Sequence, residues 1–255
     1  MLSVTPIPAF GDNYIWLLRQ DTSSEIGVVD PGDAAPVVEL IEREGLTLTT
    51  VLITHHHQDH TAGLSTLIER YSPRVIGPDN PDIAGIDERV GQGDEFRAMG
   101  RLFEVHEVPG HTLDHIAFFT AGIPPLLFCG DALFSAGCGR LFEGTPEQMH
   151  ESLGKLAALP DDTLVFAAHE YTLANLRFAL AADPHNPEVT QAMEECRHAR
   201  DLDRPTLPSS LAREKRINPF LRCHDAGVRQ AASAHGDTDS EATTFATLRA
   251  WKDQF

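Results

Sequence analysis

Cysteine is scarce in this chain of 255 residues, and the four present, Cys129, Cys138, Cys196 and Cys223, form no CxxC pair. A chain this long buries a core of its own and needs no disulfide framework, so these four are read as reduced thiols. Positive charge is scarce as well. Twenty Lys and Arg stand against 38 Asp and Glu, for a formal net charge of −18. Such a chain is repelled by nucleic acid and by anionic membrane surfaces, which excludes both as main partners. The opening MLSVTPIPAFGDNYIWLL has neither a basic n-region nor an apolar run long enough for a signal or a membrane span, so the expected compartment is cytoplasmic. There is no internal repeat and no low-complexity tract. Nor is there a GxSxG elbow, which removes the most recognisable serine nucleophile. With 42% hydrophobic residues the composition is that of ordinary globular material.

What the chain has in abundance is histidine at one place. Thr54–His60 reads THHHQDH, four histidines and an aspartate within seven positions. The preceding LTTVLI, residues 48–53, is β-branched and apolar, the mark of a buried strand, so the motif sits at a strand's C-terminal mouth. Side chains two apart in extended backbone point the same way, which lets His55, His57 and Asp59 converge while His56 and Gln58 face elsewhere. His60 then opens a helix-like TAGLSTLIERY. Imidazole and carboxylate are ligands for zinc and for catalytic iron or manganese, whereas a closed structural zinc site favours thiolates. The spacing offers two sets of donors, His55 with His57 and Asp59 with His60, and two sets suggest two metals.

The HxHxDH pattern resembles the signature of the metallo-β-lactamase superfamily. That resemblance implies three further ligands, each after an apolar strand-like run: His111 in VPGHTLDH, Asp131 in LLFCGDALF and His169 in LVFAAHEYT. It implies that His55, His57, His111 and Asp131 bind one ion and Asp59, His60, Asp131 and His169 the other, with Asp131 shared. Two divalent ions per chain are expected, zinc in the first place, though iron and manganese accept the same donors.

Along the chain, Ser3–Ile7 and Asn13–Arg19 predict a hairpin around AFGDN, and Ile26–Val29 a strand ending in DPGD. AAPVVELIEREG has helical spacing closed by Gly45. Asp30 thus lies on the rim that carries the histidines. From the residues alone it is a turn or helix cap; the superfamily resemblance makes it a partner that orients a ligand or bound water. RVIG is a short strand, residues 78–93 a polar connection, and RLFEVHEV an alternating, half-buried antiparallel strand. Residues 116–120 and 126–129 continue a sheet. His115 is either an outer partner of a ligand or a residue merely satisfied in the sheet. From about Thr172 onward only helices are expected: TLANLRFALAAD, PEVTQAMEECRHARDL and TDSEATTFATLRAWKDQF, joined by proline-bearing segments. The expected fold class is α+β, an αββα metallo-β-lactamase-like sandwich over residues 1–168 followed by a smaller all-helical part over 169–255.

A superfamily of this kind does not fix a substrate. The whole chain, however, resembles the hydroxyacylglutathione hydrolases (glyoxalase II) through FGDNY, VDPGD, THHHQDH, GHTLDH, GDALFSAGCGRLFEGT, AHEYT, REKRINPFLR and TLRAWKDQF, taken in order. The resemblance implies hydrolysis of S-(2-hydroxyacyl)glutathione thioesters by a hydroxide held between two metals, with Asp59, Asp131 and Asp30 serving the reaction. It implies that the small glutathione thioester is bound through Arg140, Tyr171, Arg249 and Lys252; the chain is expected to act as a monomer. Arg249 and Lys252, three apart, share a helix face and suit one carboxylate. Where the family often has Lys and Tyr, this chain has Arg140 and Phe142, so the charge is kept and a hydroxyl lost. Cys138, between two glycines, has no base marked for it. The rival on the same fold is a glutathione persulfide dioxygenase with a single iron, which would leave Asp59, His60 and His169 idle.

Overall fold

In the computed structural model, which describes residues 2–21 and 23–255, the chain falls into two units, and the first is built mainly of strands. It runs to Glu107 and resumes over Asp114–Gly130. β1 (Leu2–Ala9) and β2 (Asn13–Gln20) form the expected antiparallel hairpin, in register from Leu2 opposite Gln20 to Ala9 opposite Asn13. β2 pairs antiparallel with β3 (Glu25–Val29). α1 (Ala34–Glu44) returns the chain so that β4 (Thr47–Leu52) lies parallel to β3.

The ends of α1 follow from its sequence. Asp33 accepts the Ala35 N–H at the N-terminus, and Gly45, at φ 64°, donates to the Ile41 carbonyl at the C-terminus. Its Ala34, Val37 and Ile41 are buried with Ile15, Val28, Val51 and Leu67 in the core of this unit. Each fully buried aliphatic side chain of this kind is worth about 1.5–3 kcal/mol.

After β4 come two helices, α2 (Gln58–Thr61) and α3 (Leu64–Tyr71), rather than the single helix expected from His60 onward. The break falls at Gly63, whose N–H donates to the Pro31 carbonyl at 3.0 Å and where a Cβ would stand only 2.4 Å from that oxygen. β5 (Arg74–Pro78) and β6 (Glu88–Val90) extend the parallel part of the sheet. The unit also holds an antiparallel series, β7 (Glu95–Ala98), β8 (Arg101–Glu107), β9 (Ile116–Thr120) and β10 (Leu126–Gly130). β8 alternates buried and open positions as its sequence predicts, while β9 and β10 are buried throughout. Residues 78–93, expected to be a connection, contain β6. A three-residue ERV strand is too short to show a period.

The second unit, Val108–Leu113 with Asp131–Phe255, is mostly helical. It opens on a small hairpin of β11 (Leu133–Phe134) and β12 (Gly137–Cys138). α4 (Pro146–Ala157) follows, its N-terminus closed by a reciprocal Thr145–Gln148 capping box. β13 (Leu164–Ala167) precedes α5 (Thr172–Ala182) and α6 (Pro187–Asp201), two of the helices predicted. Beyond them β14 (Ser209–Ser210) pairs antiparallel with β13, which corrects the expectation that no strand follows Thr172; two serines carry no apolar alternation to read. α7 (Leu211–Ile217), a 3₁₀ turn over Pro219–Leu221, α8 (Ala226–Ala232) and α9 (Glu241–Lys252) complete the unit. Its core joins Leu176, Ala179, Val189 and Met193 with Ile217. The carboxylate of Glu214 is buried at the start of this helical layer. It accepts from the Ser135 hydroxyl, the Ala136 N–H and the Ser209 hydroxyl at 3.0, 2.7 and 2.5 Å.

All four cysteines are free thiols, as read from the sequence. Among the described residues no helix is long and apolar enough to cross a membrane.

Candidate metal-binding and substrate-binding residues

β4 is flanked by parallel neighbours on both sides, so its apolar residues end together and the chain turns polar at the strand's C-terminal edge. β3 ends on the same edge, where Asp30 takes a left-handed φ of 53° and its N–H donates to the Leu52 carbonyl at 2.9 Å. Aspartate tolerates that backbone better than most residues. Asp30 does not cap α1, since Asp33 does. Its Oδ1 accepts the Thr54 N–H at 2.8 Å, and its Oδ2 accepts both the Thr54 hydroxyl at 2.7 Å and the Nδ1–H of His60 at 3.1 Å. With its proton engaged on Asp30, the Thr54 oxygen is the acceptor for Nδ1–H of His55, 3.1 Å away. One carboxylate thereby sets the tautomer of two buried imidazoles and leaves Nε2 of each as the lone-pair nitrogen.

The rest of this first group is packed around those rings. The His55 centroid lies 4.1 Å from that of His60 and 4.8 Å from that of His57, and His115 stacks on His55 at 4.5 Å. His115 is thus in ring contact with a candidate ligand. Asp59, in α2, takes a hydrogen bond from the Asn13 amide at 3.1 Å, and its Oδ2 is 3.5 Å from His60 Nε2. Candidate donor atoms of His55 and His57, of His55 and His60, and of Asp59 and His60 lie within 4.8 Å of one another. His56 faces away as the alternation predicts, pairing through Nδ1 with Asp114 at 2.9 Å, while the Asn80 amide holds the other Asp114 oxygen at 2.7 Å.

The second group belongs to the other unit. Nδ1–H of His111 donates to the Arg140 carbonyl at 2.8 Å, which again leaves Nε2 as the lone-pair nitrogen. That nitrogen is 3.4 Å from Asp131 Oδ2, and His169 Nε2 is 3.3 Å from Asp131 Oδ1. Asp131 therefore turns one oxygen to each imidazole, the disposition a shared carboxylate needs, and all three side chains are buried. Imidazoles whose Nδ1 is tied down, as in His55, His60 and His111, with carboxylates beside Nε2 of His60, His111 and His169, are donors suited to divalent cations, with no thiolate among them.

Around the second group lie the residues expected to hold substrate. Tyr171 stacks on His169 with ring planes 6° apart, and Phe142, largely exposed, sets its ring edge against His111. Arg140 is exposed and reaches Asp253 at 3.2 Å. Arg249 is only 5% exposed, with its Nη1 on the carbonyls of Cys138 and Gly139 and its Nη2 on Asp253. Lys252 donates to the Asn175 amide oxygen and lies over the Phe178 and Phe220 rings. Burial there, and next the charge of Arg249, bring the Lys252 ammonium down to about 8. Burial pushes the Cys138 thiol up against the pull of Arg249 and Lys252, so it is a protonated thiol at neutral pH and no nucleophile. Ser135 is likewise committed, donating to Glu214.

The supporting residues Thr54, Asn13, Asn175, Asp253 and Glu214 were not singled out from sequence. Their only signal there was membership of the segments THHHQDH, FGDNY, TLRAWKDQF and REKRINPFLR, or, for Asn175, none.

Comparison with known proteins gives a consistent picture. A metallo-beta-lactamase superfamily model matches residues 9–169, and a model described as hydroxyacylglutathione hydrolase C-terminus matches residues 170–255. A hydroxyacylglutathione hydrolase of Chromohalobacter salexigens is 65% identical over 255 residues, covering all of both chains. Another from Pseudomonas savastanoi pv. phaseolicola is 51% identical, again covering both chains completely. Among solved structures, ETHE1 from Myxococcus xanthus superposes with a TM-score of 0.59 at 29% identity, over 92% of this chain and all of that one. The BLEG-1 B3 metallo-beta-lactamase superposes at 0.64 and 21% identity over 87% of this chain and 99% of its own, a likeness of fold alone. The α+β fold read from the sequence, an αββα metallo-β-lactamase-like sandwich with a helical C-terminal part, is the fold of this chain.

Proposed function

The chain belongs to the hydroxyacylglutathione hydrolase family within the metallo-β-lactamase superfamily, and on that premise we propose that it hydrolyses S-(2-hydroxyacyl)glutathione thioesters, S-D-lactoylglutathione first among them. The products are glutathione and the 2-hydroxy acid. What carries this reading is the length of the likeness. It runs through the C-terminal 170–255 segment and not only through the histidine motif, which many chemistries share. The division into a catalytic part, 1–168, and a glutathione-binding part, 169–255, is supported by the two family models meeting between residues 169 and 170.

The donor chemistry fits divalent cations. We assign His55, His57, Asp59, His60, His111, Asp131 and His169 as ligands of two ions per chain, zinc in the first place. Ions so held lower the pKa of water to near neutrality and polarise a thioester carbonyl. The protein's own residues then do the following. Asp30 and Thr54 keep His55 and His60 in the tautomer that offers Nε2, and the Arg140 carbonyl does the same for His111. Asn13 fixes Asp59. Arg140, Arg249 and Lys252, with Tyr171, hold the anionic glutathione moiety and locally offset a chain of net charge −18. The departing thiolate has a solution pKa of about 8.5, so no side chain is needed to protonate it. The same charge argues against nucleic acid or an anionic membrane surface as a main partner, and we propose a cytoplasmic monomer.

The test is thiol release from S-D-lactoylglutathione before and after metal removal. Activity is expected to vanish on chelation and to return on adding zinc, iron or manganese. Oxygen uptake with glutathione persulfide in place of thiol release would overturn the assignment. So would undiminished hydrolysis by a His55→Ala, Asp131→Ala double variant.

A further inference from the structure

We propose that Arg249, beside its part in glutathione binding, is a positioning residue for the metal ligand His111, acting through the segment that runs from β12 to Arg140. The inference rests on the assignment of His111 as a ligand. An arginine kept only to grip an incoming anion leaves its donors toward open space, but Arg249 spends them inside the fold. Nη1 donates to two successive carbonyls, Cys138 at 3.0 Å and Gly139 at 3.3 Å. The next carbonyl along, that of Arg140, is the acceptor for Nδ1–H of His111 at 2.8 Å. Two peptide oxygens gripped by one guanidinium fix the orientation of the peptides that follow, and the third oxygen is the one that sets the imidazole's tautomer.

Two further links tighten the same segment. Asp253 accepts from Arg249 Nη2 at 2.9 Å and from Arg140 Nε at 3.2 Å, so Arg140 is tied through its side chain to the residue that orients its backbone. Gly139 leaves no room to shift. Its N–H donates to the Ala132 carbonyl at 3.2 Å, and a Cβ there would stand 2.0 Å from the Asp131 carbonyl oxygen and 3.1 Å from His111 Nδ1. The base of the lever is firm as well: α9 starts in a Ser240–Thr243 capping box, and Phe245 and Leu248 are fully buried. Outer partners of metal-bound histidines contribute roughly 10–100-fold to metal affinity, and that is the scale expected here.

The experiment titrates metal-free protein with zinc against a chromophoric chelator and, in the same metal-free samples, reads the His111 tautomer from its ring ¹⁵N shifts. Arg249→Gln is expected to weaken zinc by about 10–100-fold and to broaden or shift the His111 Nδ1–H signal. Arg249→Lys, with one ammonium for two carbonyls, is expected to fall between it and the parent. Lys252→Ala is expected to raise KM with zinc affinity unaltered. His111→Ala is the reference: if it leaves zinc binding intact, the ligand assignment fails and the proposal goes with it. If His111→Ala weakens zinc while Arg249→Gln keeps both the parent affinity and the parent His111 spectrum, the positioning role alone is overturned. Should Arg249→Gln not fold, Asp253→Ala, which removes the oxygen shared by Arg249 and Arg140 at an accessible position, is read in the same way.

Discussion

Replacing Asp30 by Asn changes one oxygen to an amide nitrogen, and the structure shows that no rotamer of the amide can serve the three donors the carboxylate now serves. With the amide oxygen in the place of Oδ2, the Thr54 hydroxyl and His60 Nδ1–H keep their acceptor, but the amide nitrogen then meets the Thr54 N–H at 2.8 Å, donor against donor. Flipped, the amide keeps the backbone bond and donates to Thr54 Oγ1. The Thr54 proton must then turn toward His55 Nδ1, 3.1 Å away, which forces the opposite tautomer on His55, and His60 loses its acceptor. The first arrangement loses the Thr54 backbone bond that fixes the residue before His55 and the second loses the His60 bond, so at least one charge-assisted hydrogen bond goes either way, about 1.5–3 kcal/mol. At 1.36 kcal/mol per decade this is roughly 10–100-fold in the affinity of an ion bound by the imidazoles so positioned.

The left-handed φ of 53° at residue 30 is no obstacle to Asn, whereas Asp30→Ala adds about 1–2 kcal/mol of backbone cost and confuses the reading. Asp30→Asn should therefore fold near normally, bind zinc about 10–100-fold more weakly in chelator competition, and lose kcat for S-D-lactoylglutathione. Asp33→Asn, at the cap of α1, is the control and should leave zinc affinity alone. Parent-like zinc affinity in folded Asp30→Asn would refute the orienting role.

Four other outcomes are expected. Lys252 is held down to about 8, so it is cationic below that pH and neutral above it; KM for the anionic thioester should rise as pH climbs through 8, and Lys252→Arg should flatten that limb. The linkage has the same origin. Burial disfavours the charged form, so this lysine's cost to stability is full below about 8 and fades as pH approaches its ordinary 10.5, which a pH series of unfolding curves in Lys252→Met would reveal by its missing slope. Cys138→Ala should keep thioester hydrolysis, because Arg249 takes the backbone carbonyl and the sulfur is a buried neutral thiol; loss of turnover by orders of magnitude would contradict that. Glu214→Ala strands the Ser135, Ala136 and Ser209 donors in a buried layer. It should cost at least about 3 kcal/mol of stability, measured by denaturant unfolding.

Much of this protein was legible in its sequence wherever the signal was local. The apolar run before THHHQDH, the hairpin around FGDN, the Gly45 stop and the helices from Pro187 and Thr172 all follow from periodicity and end chemistry within a dozen residues. The alternation that sends His56 away from His55 and His57 is also local, and so is the choice of imidazole and carboxylate donors over thiols. β6 and β14 escaped because two or three residues hold no period.

What only the tertiary structure decided is which atom of each side chain does the work. Nothing near Asp30 in sequence announces that it accepts from both Thr54 and His60. Nothing near Arg249 announces that its guanidinium closes on Cys138 and Gly139, more than a hundred positions earlier. A histidine's tautomer is set by whichever acceptor the fold brings to Nδ1, a carboxylate for His60 and a main-chain oxygen for His111. Composition supplies the donors, but their lone pairs are aimed by contacts between residues far apart in the chain.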